Sequence, residues 1–174
     1  MIEIPDARFA TIPRRDWMMV LFAAIVGRVV VLAMALTLGG RLETSDAQQY
    51  VAVARNIVDH GAYSLSVSAP FTPTMERAPG YPVFVAGFLA ITGTSAPLTL
   101  PIVAQMLLGI ASAVLFLLIA TELLPASWAV GCSLLYAVSP GQLAHSVVLG
   151  ADMLFTVELL ACIVLCLRQL RNPS

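Results

Sequence analysis

What most constrains this chain is a set of apolar runs long enough to cross a lipid bilayer. The first, Trp17 to Gly39, is preceded by Arg14-Arg15, and the last, Met153–Leu167, is followed by Arg168-Gln169-Leu170-Arg171. Between them lie Tyr81–Thr92, Leu100–Thr121, and Ser127–Val138 extending towards Leu143. A hydrocarbon core of ~30 Å takes roughly 20 residues of helix, and inside it a helix can satisfy its own backbone. With 59% of 174 residues hydrophobic, 11% charged and a mean hydropathy of +0.91, a soluble core of this size has no means of hiding the apolar surface. The expected fold is all-α, a polytopic membrane protein. Its basic residues are nine arginines, its net charge is −1, and no basic stretch occurs, so nucleic acid is excluded as a partner.

The run at Trp17–Gly39 is too long for a signal-peptide core, and Glu3, Asp6 and Asp16 precede it. It reads as an uncleaved first span, with residues 1–16 as a cytoplasmic tail. Arginines flank both ends of the hydrophobic region, so the number of crossings is expected to be even. Tyr81–Thr92 is the odd run out. As a helix it reaches only ~18 Å, and it is bounded by Pro79-Gly80 and by Gly93 with Pro97. It is predicted to be interfacial or re-entrant. Four transmembrane spans remain, joined by an outer loop at 40–99, a cytoplasmic turn near Leu123–Ala126 and a second outer loop at 141–151, all within one module at 17–174. The expected location is the plasma (inner) membrane, with membrane lipid all around.

In the first outer loop, apolar positions 50, 53, 54, 57 and 58 share one helix face. Ser45 suits an N-cap, Gln48 completes a capping box, and Gly61 suits the residue after the helix, which predicts an amphipathic interfacial helix at 45–60. Asp46 falls in its first turn, where a carboxylate already complements the helix dipole. Asp59 and His60 at its end read as a solvated turn. Further on, Glu76-Arg77-Ala78-Pro79-Gly80-Tyr81-Pro82 sets a turn that holds Arg77 at the membrane surface, where a guanidinium fits a phosphate; interfacial anchoring by Arg77 and Tyr81 is the plainer alternative. The second outer loop carries His145 and Asp152. The two carboxylates, Asp46 and Asp152, are candidates for acid–base work or for holding a divalent metal ion, with His145 as a third participant.

Two charges lie inside spans. Arg28 is ~15 Å and Glu158 ~14 Å from the cytoplasmic end of its span, and an unpaired charge at such depth is expensive. Their matched depth predicts a structural ion pair between the first and last spans; the alternative has one of them facing a polar cavity. Cys132, Cys162 and Cys166 all lie in apolar runs and are expected to pack as small hydrophobes, with Cys162 and Cys166 sharing a helix face.

Taken in order, Ser45-Asp46 with Tyr50, Ala54 with Asn56-Ile57, Gly61 with Tyr63, Arg77 to Pro82, Gln105 to Gly109, Ala137 to Pro140 and Gly150 to Phe155 form a pattern. It resembles the GT-C superfamily of membrane glycosyltransferases, in particular bacterial relatives of protein O-mannosyltransferases and aminoarabinose transferases, over roughly residues 17–170. The resemblance implies a polyprenyl-phosphate sugar donor and transfer to an extracytoplasmic acceptor. It implies Asp46 as the first-loop acid, a general base or metal ligand, and Asp152 as the acid of the second loop. Arg77 would then sit where the lipid phosphate must pass, and Tyr81 and His145 are the further candidates for substrate binding. Members of that family are longer, with eight or more spans, so this chain is expected to be an N-terminal part that works with a C-terminal half or another membrane subunit. The competing expectations are a four-span transport or lipid-flipping subunit, with Arg28 and Glu158 lining the path, and a structural membrane partner.

Overall fold

A computed structural model describes residues 12–37 and 44–171. Among these residues there are seven helices and no strand: α1 (Arg14–Thr37), α2 (Ser45–His60), α3 (Gly80–Thr92), α4 (Thr99–Leu123), α5 (Ala126–Ala137), α6 (Pro140–Val147) and α7 (Ala151–Arg171). Three of them, α1, α4 and α7, are long and apolar enough to cross a membrane. Most of the expected tail, residues 1–11, lies outside the described residues, and Arg14–Asp16 already belong to α1.

The hub is α4, which packs against α1, α3, α5, α6 and α7. Its buried positions include Gln105, Gly109, Ser112, Ala113, Leu117 and Ala120, spaced by three and four residues along the helix. Small residues at such positions let backbones approach closely, which matters where lipid tails give no hydrophobic drive for helix pairing. By contrast α1 buries only Val20, Ala24 and Arg28, a seam of one residue per turn, and turns side chains such as Phe22, 68% exposed, outward. That is the surface expected of a helix whose other faces meet lipid.

The apolar run at Ser127–Leu143 forms two helices and not one. α5 ends at Ala137, Ser139 takes extended dihedrals, and Pro140 opens α6. A proline favours extended backbone in the residue before it and is well suited to a first helical turn. The expected loop at 141–151 is therefore helical over most of its length. Together α5 and α6 follow α4 back: Val130 and Ala137 cluster with Val20, Ala24, Ala113 and Leu117, and Ser146 lies beside Gly109.

The α2–α3 pair caps one end of α4. Ala47, Val51 and Ala54 of α2 pack on Tyr81, Val85, Ala86 and Leu89 of α3, joined by Leu98 and by Leu149 from the α6–α7 link. The N-cap of α2 is Thr44, one residue before the expected Ser45; its hydroxyl accepts from the Ala47 amide at 3.2 Å. Gly61 closes the helix at φ 63°, where a residue without Cβ is unstrained.

The expected Arg28–Glu158 pair is not formed. α1 and α7 make no contact with each other, so equal depth along the span does not bring the two charges together. Arg28 is 0% exposed and donates to the Gly109 carbonyl at 2.6 Å and to the Ala24 carbonyl at 2.9 Å, while Glu158 is exposed on α7.

Candidate functional site

The polar side chains with the most organised geometry gather where α2, α3, the end of α6 and the start of α7 meet. Asp46, Gln49 and Tyr50 stand at i, i+3 and i+4 on α2 and so share a face. Arg77 reaches across from the segment between α2 and α3. Its Nη2 donates to Asp46 Oδ1 at 2.6 Å, its Nε donates to Gln49 Oε1 at 2.7 Å, and its Cζ lies 5.2 Å from the centre of the Tyr50 ring. A hydrogen bond to a carboxylate, one to a neutral amide oxygen and a cation–π contact thus fix one guanidinium. Partial desolvation lowers the Arg77 pKa, but the hydrogen bond and charge of Asp46 outweigh it and hold the guanidinium above its ordinary value.

The backbone around Arg77 is also tied down. Tyr63 Oη donates to the Arg77 carbonyl at 2.6 Å. Asn56 Nδ2 donates to the carbonyls of Ser64 and Ser66, and Ser64 Oγ to that of Thr72, which pins the 62–74 segment against α2. His60 stacks on Phe71 with ring centres 4.2 Å apart, and Thr94 Oγ1 donates to Asp59 at 3.0 Å, so both residues of the expected solvated turn have partners.

A second pair lies on the far side of this end. His145 Nδ1 and Asp152 Oδ2 are 3.4 Å apart, with side chains 52% and 64% exposed. The two pairs belong to one framework. The Tyr50 ring meets the Tyr81 ring edge-on at 5.0 Å, and Tyr81 Oη donates to Gln105 Oε1 at 2.6 Å. Gln105 Nε2 in turn donates to the carbonyls of His145 and Val148 at 2.7 and 2.6 Å, and its Oε1 accepts from the Gly150 amide at 3.4 Å. All four hydrogen-bonding positions of a fully buried amide are thereby used. Burial pushes the Tyr81 phenol far above its ordinary pKa, so it remains a protonated donor.

Asp46, Arg77, Tyr81, His145 and Asp152 therefore collect at one end of the molecule, while Arg28 and Glu158 lie elsewhere. Gln49 and Gln105 were not singled out from the sequence as site residues. Gln49 had a usable signal, three positions after Asp46 on the same helix face. Gln105 had two, as a polar residue inside an apolar run and as the first residue of the Gln105–Gly109 segment of the resemblance. Among the described residues no group of three His, Cys, Asp or Glu side chains stands together as a metal site. A divalent ion at Asp46 would have to compete with Arg77 for the carboxylate. No family model, curated protein or solved structure matches the chain.

Proposed function

We propose that this chain is the catalytic-side module of a membrane glycosyltransferase, which moves a sugar from a polyprenyl-phosphate donor to an acceptor hydroxyl outside the membrane. The observation that carries the reading is the Arg77–Asp46 pair, in which a guanidinium suited to phosphate, on the tied segment between α2 and α3, meets a candidate base in the first turn of α2 at 2.6 Å. In this reading the chain has four spans: the three long helices α1, α4 and α7, and the broken α5–α6 unit, which follows α4 back from Leu117 to Gln105. The cytoplasmic N-terminus, the plasma membrane location and an interfacial α2–α3 pair belong to the same proposal.

In this mechanism the donor phosphate, at headgroup level, draws Arg77 towards itself. Asp46 is thereby released from its ion pair and takes the proton of the acceptor hydroxyl. The hydroxyl oxygen attacks the sugar C1, the C1–O bond to phosphate breaks, and polyprenyl phosphate leaves with its negative charge held by Arg77. In-line displacement requires the base and the leaving phosphate on opposite faces of C1, and the configuration then inverts. Gln49 and Tyr50 keep the guanidinium in reach of both positions. His145 and Asp152 border the acceptor side. A positioned carboxylate contributes ~10²–10⁴-fold by proton removal, and stabilisation of the leaving phosphate adds to that.

The test is transfer itself. Membranes carrying the protein are given a polyprenyl-phosphate sugar labelled in the sugar, and label is sought in extracytoplasmic acceptors together with free polyprenyl phosphate. Both products should appear above membranes lacking the protein. The rival transport reading would require Arg28 and Glu158 to face one path, whereas Arg28 is buried against the Gly109 and Ala24 carbonyls and Glu158 is exposed on α7.

A further inference from the structure

α7 touches the rest of the molecule on one side only. Met153 and Val164, 1% and 7% exposed, mark its packed face towards α4. At 100° per residue the opposite face carries Phe155, Glu158, Cys162, Cys166 and Gln169. Glu158, Cys162 and Cys166 are exposed, and Phe155 is 63% exposed. Glu158 is within about 4 Å of the midpoint of the candidate span Ala151–Leu170. No described residue forms an ion pair or hydrogen bond with it. A carboxylate at that depth does not face lipid without a large penalty; intramembrane acids turn towards protein or water and are paired.

We infer that this face of α7 is an interface for another transmembrane helix, one that presents an arginine or lysine at the depth of Glu158. Three features give the partner its chemistry. The carboxylate calls for a cation. The small side chains of Cys162 and Cys166, one and two turns further on, leave room for a backbone to approach closely. A second copy of the chain does not supply the cation: two α7 helices meeting on this face would oppose Glu158 with Glu158, and the one arginine deep in a described span, Arg28, is 0% exposed and bonded to Gly109 and Ala24. The inference rests on α7 crossing the membrane and is independent of the transferase reading.

The experiment places the fluorophore-labelled protein in phosphatidylcholine vesicles with labelled leucine–alanine transmembrane peptides, read by energy transfer. One peptide has a central arginine, one has leucine there, and one has its arginine near an end. The central-arginine peptide should bind the wild type about tenfold more tightly than Glu158→Gln. The other two peptides should not distinguish the proteins. Cys162→Phe, which leaves the charge in place but blocks close approach, should weaken the central-arginine peptide as well. Equal binding to wild type and Glu158→Gln overturns the inference. So does energy transfer between copies of the chain that Glu158→Gln abolishes, because the face would then be filled by self-association.

Discussion

At Gly109 of α4, side chains from α1 and α6 lie against the helix backbone. A Cβ built there would stand 2.5 Å from Arg28 Nε and 2.6 Å from Ser146 Oγ, with the Arg28 guanidinium bonded to the Gly109 carbonyl itself. A methyl group there has to displace the Arg28 guanidinium and the Ser146 hydroxyl from their hydrogen bonds, and such overpacking costs ~1–3 kcal/mol. Gly109→Ala should therefore lower the Tm in detergent by several degrees. Gly131→Ala, where nothing lies within 4 Å of the new Cβ, should leave it unchanged or raise it. Equal effects of the two changes would mean that the close approach at Gly109 is not maintained. Arg28 also shows how far the sequence carries at this scale. The depth of a charge along a span follows from counting residues, and that count put Arg28 and Glu158 level. The direction a side chain takes around the helix axis depends on which neighbour packs where, and no count supplies it. In the same way Asp46 and Arg77 could be placed in one loop by inspection, whereas their direct bond required the fold of the 62–79 segment.

Helices were legible wherever periodicity or a cap marked them. α2 runs over Ser45–His60, as its apolar face and Gly61 predict, with its cap shifted to Thr44 because that hydroxyl is the one reaching the Ala47 amide. The run from Ser127 to Leu143 reads as continuous in sequence because hydropathy is blind to a backbone break; Ser139-Pro140 is the feature that marks the break. What holds the resulting short helices in place is Gln105. It joins α3 through Tyr81, α6 through His145, and the α6–α7 link through Val148 and Gly150. Gln105→Leu keeps the volume and leaves these buried groups without partners, each at a cost of ~1–3 kcal/mol. Faster amide hydrogen exchange is expected across residues 145–150 and the start of α3, with α5 little changed. Exchange unaltered at both sites would show that Gln105 does not tie the elements together.

For the molecule as a whole, the apolar runs and their arginine flanks carried the class of fold, and three membrane-length helices agree with it. The count of crossings turns on the broken α5–α6 unit. If it crosses, both ends of the chain lie on one side, so reporter fusions before Met1 and after Ser174 should both be active in the cytoplasm; reporters on opposite sides would remove the fourth span. The candidate site was legible as a list of residues but not as an arrangement, because the contacts by which Tyr50, Tyr81 and Gln105 connect its two pairs depend on how α2, α3, α4 and α6 pack, which spacing along the chain does not supply. Its function stands or falls with one carboxylate. Asp46→Asn keeps the size and a hydrogen bond to Arg77 while removing the base, so the decisive measurement is the rate of sugar transfer from a polyprenyl-phosphate donor by this variant in membranes. A fall of about 10²-fold or more, with the variant inserted at wild-type levels, is the expected result. Turnover equal to the wild type would contradict the assignment of Asp46 as the base.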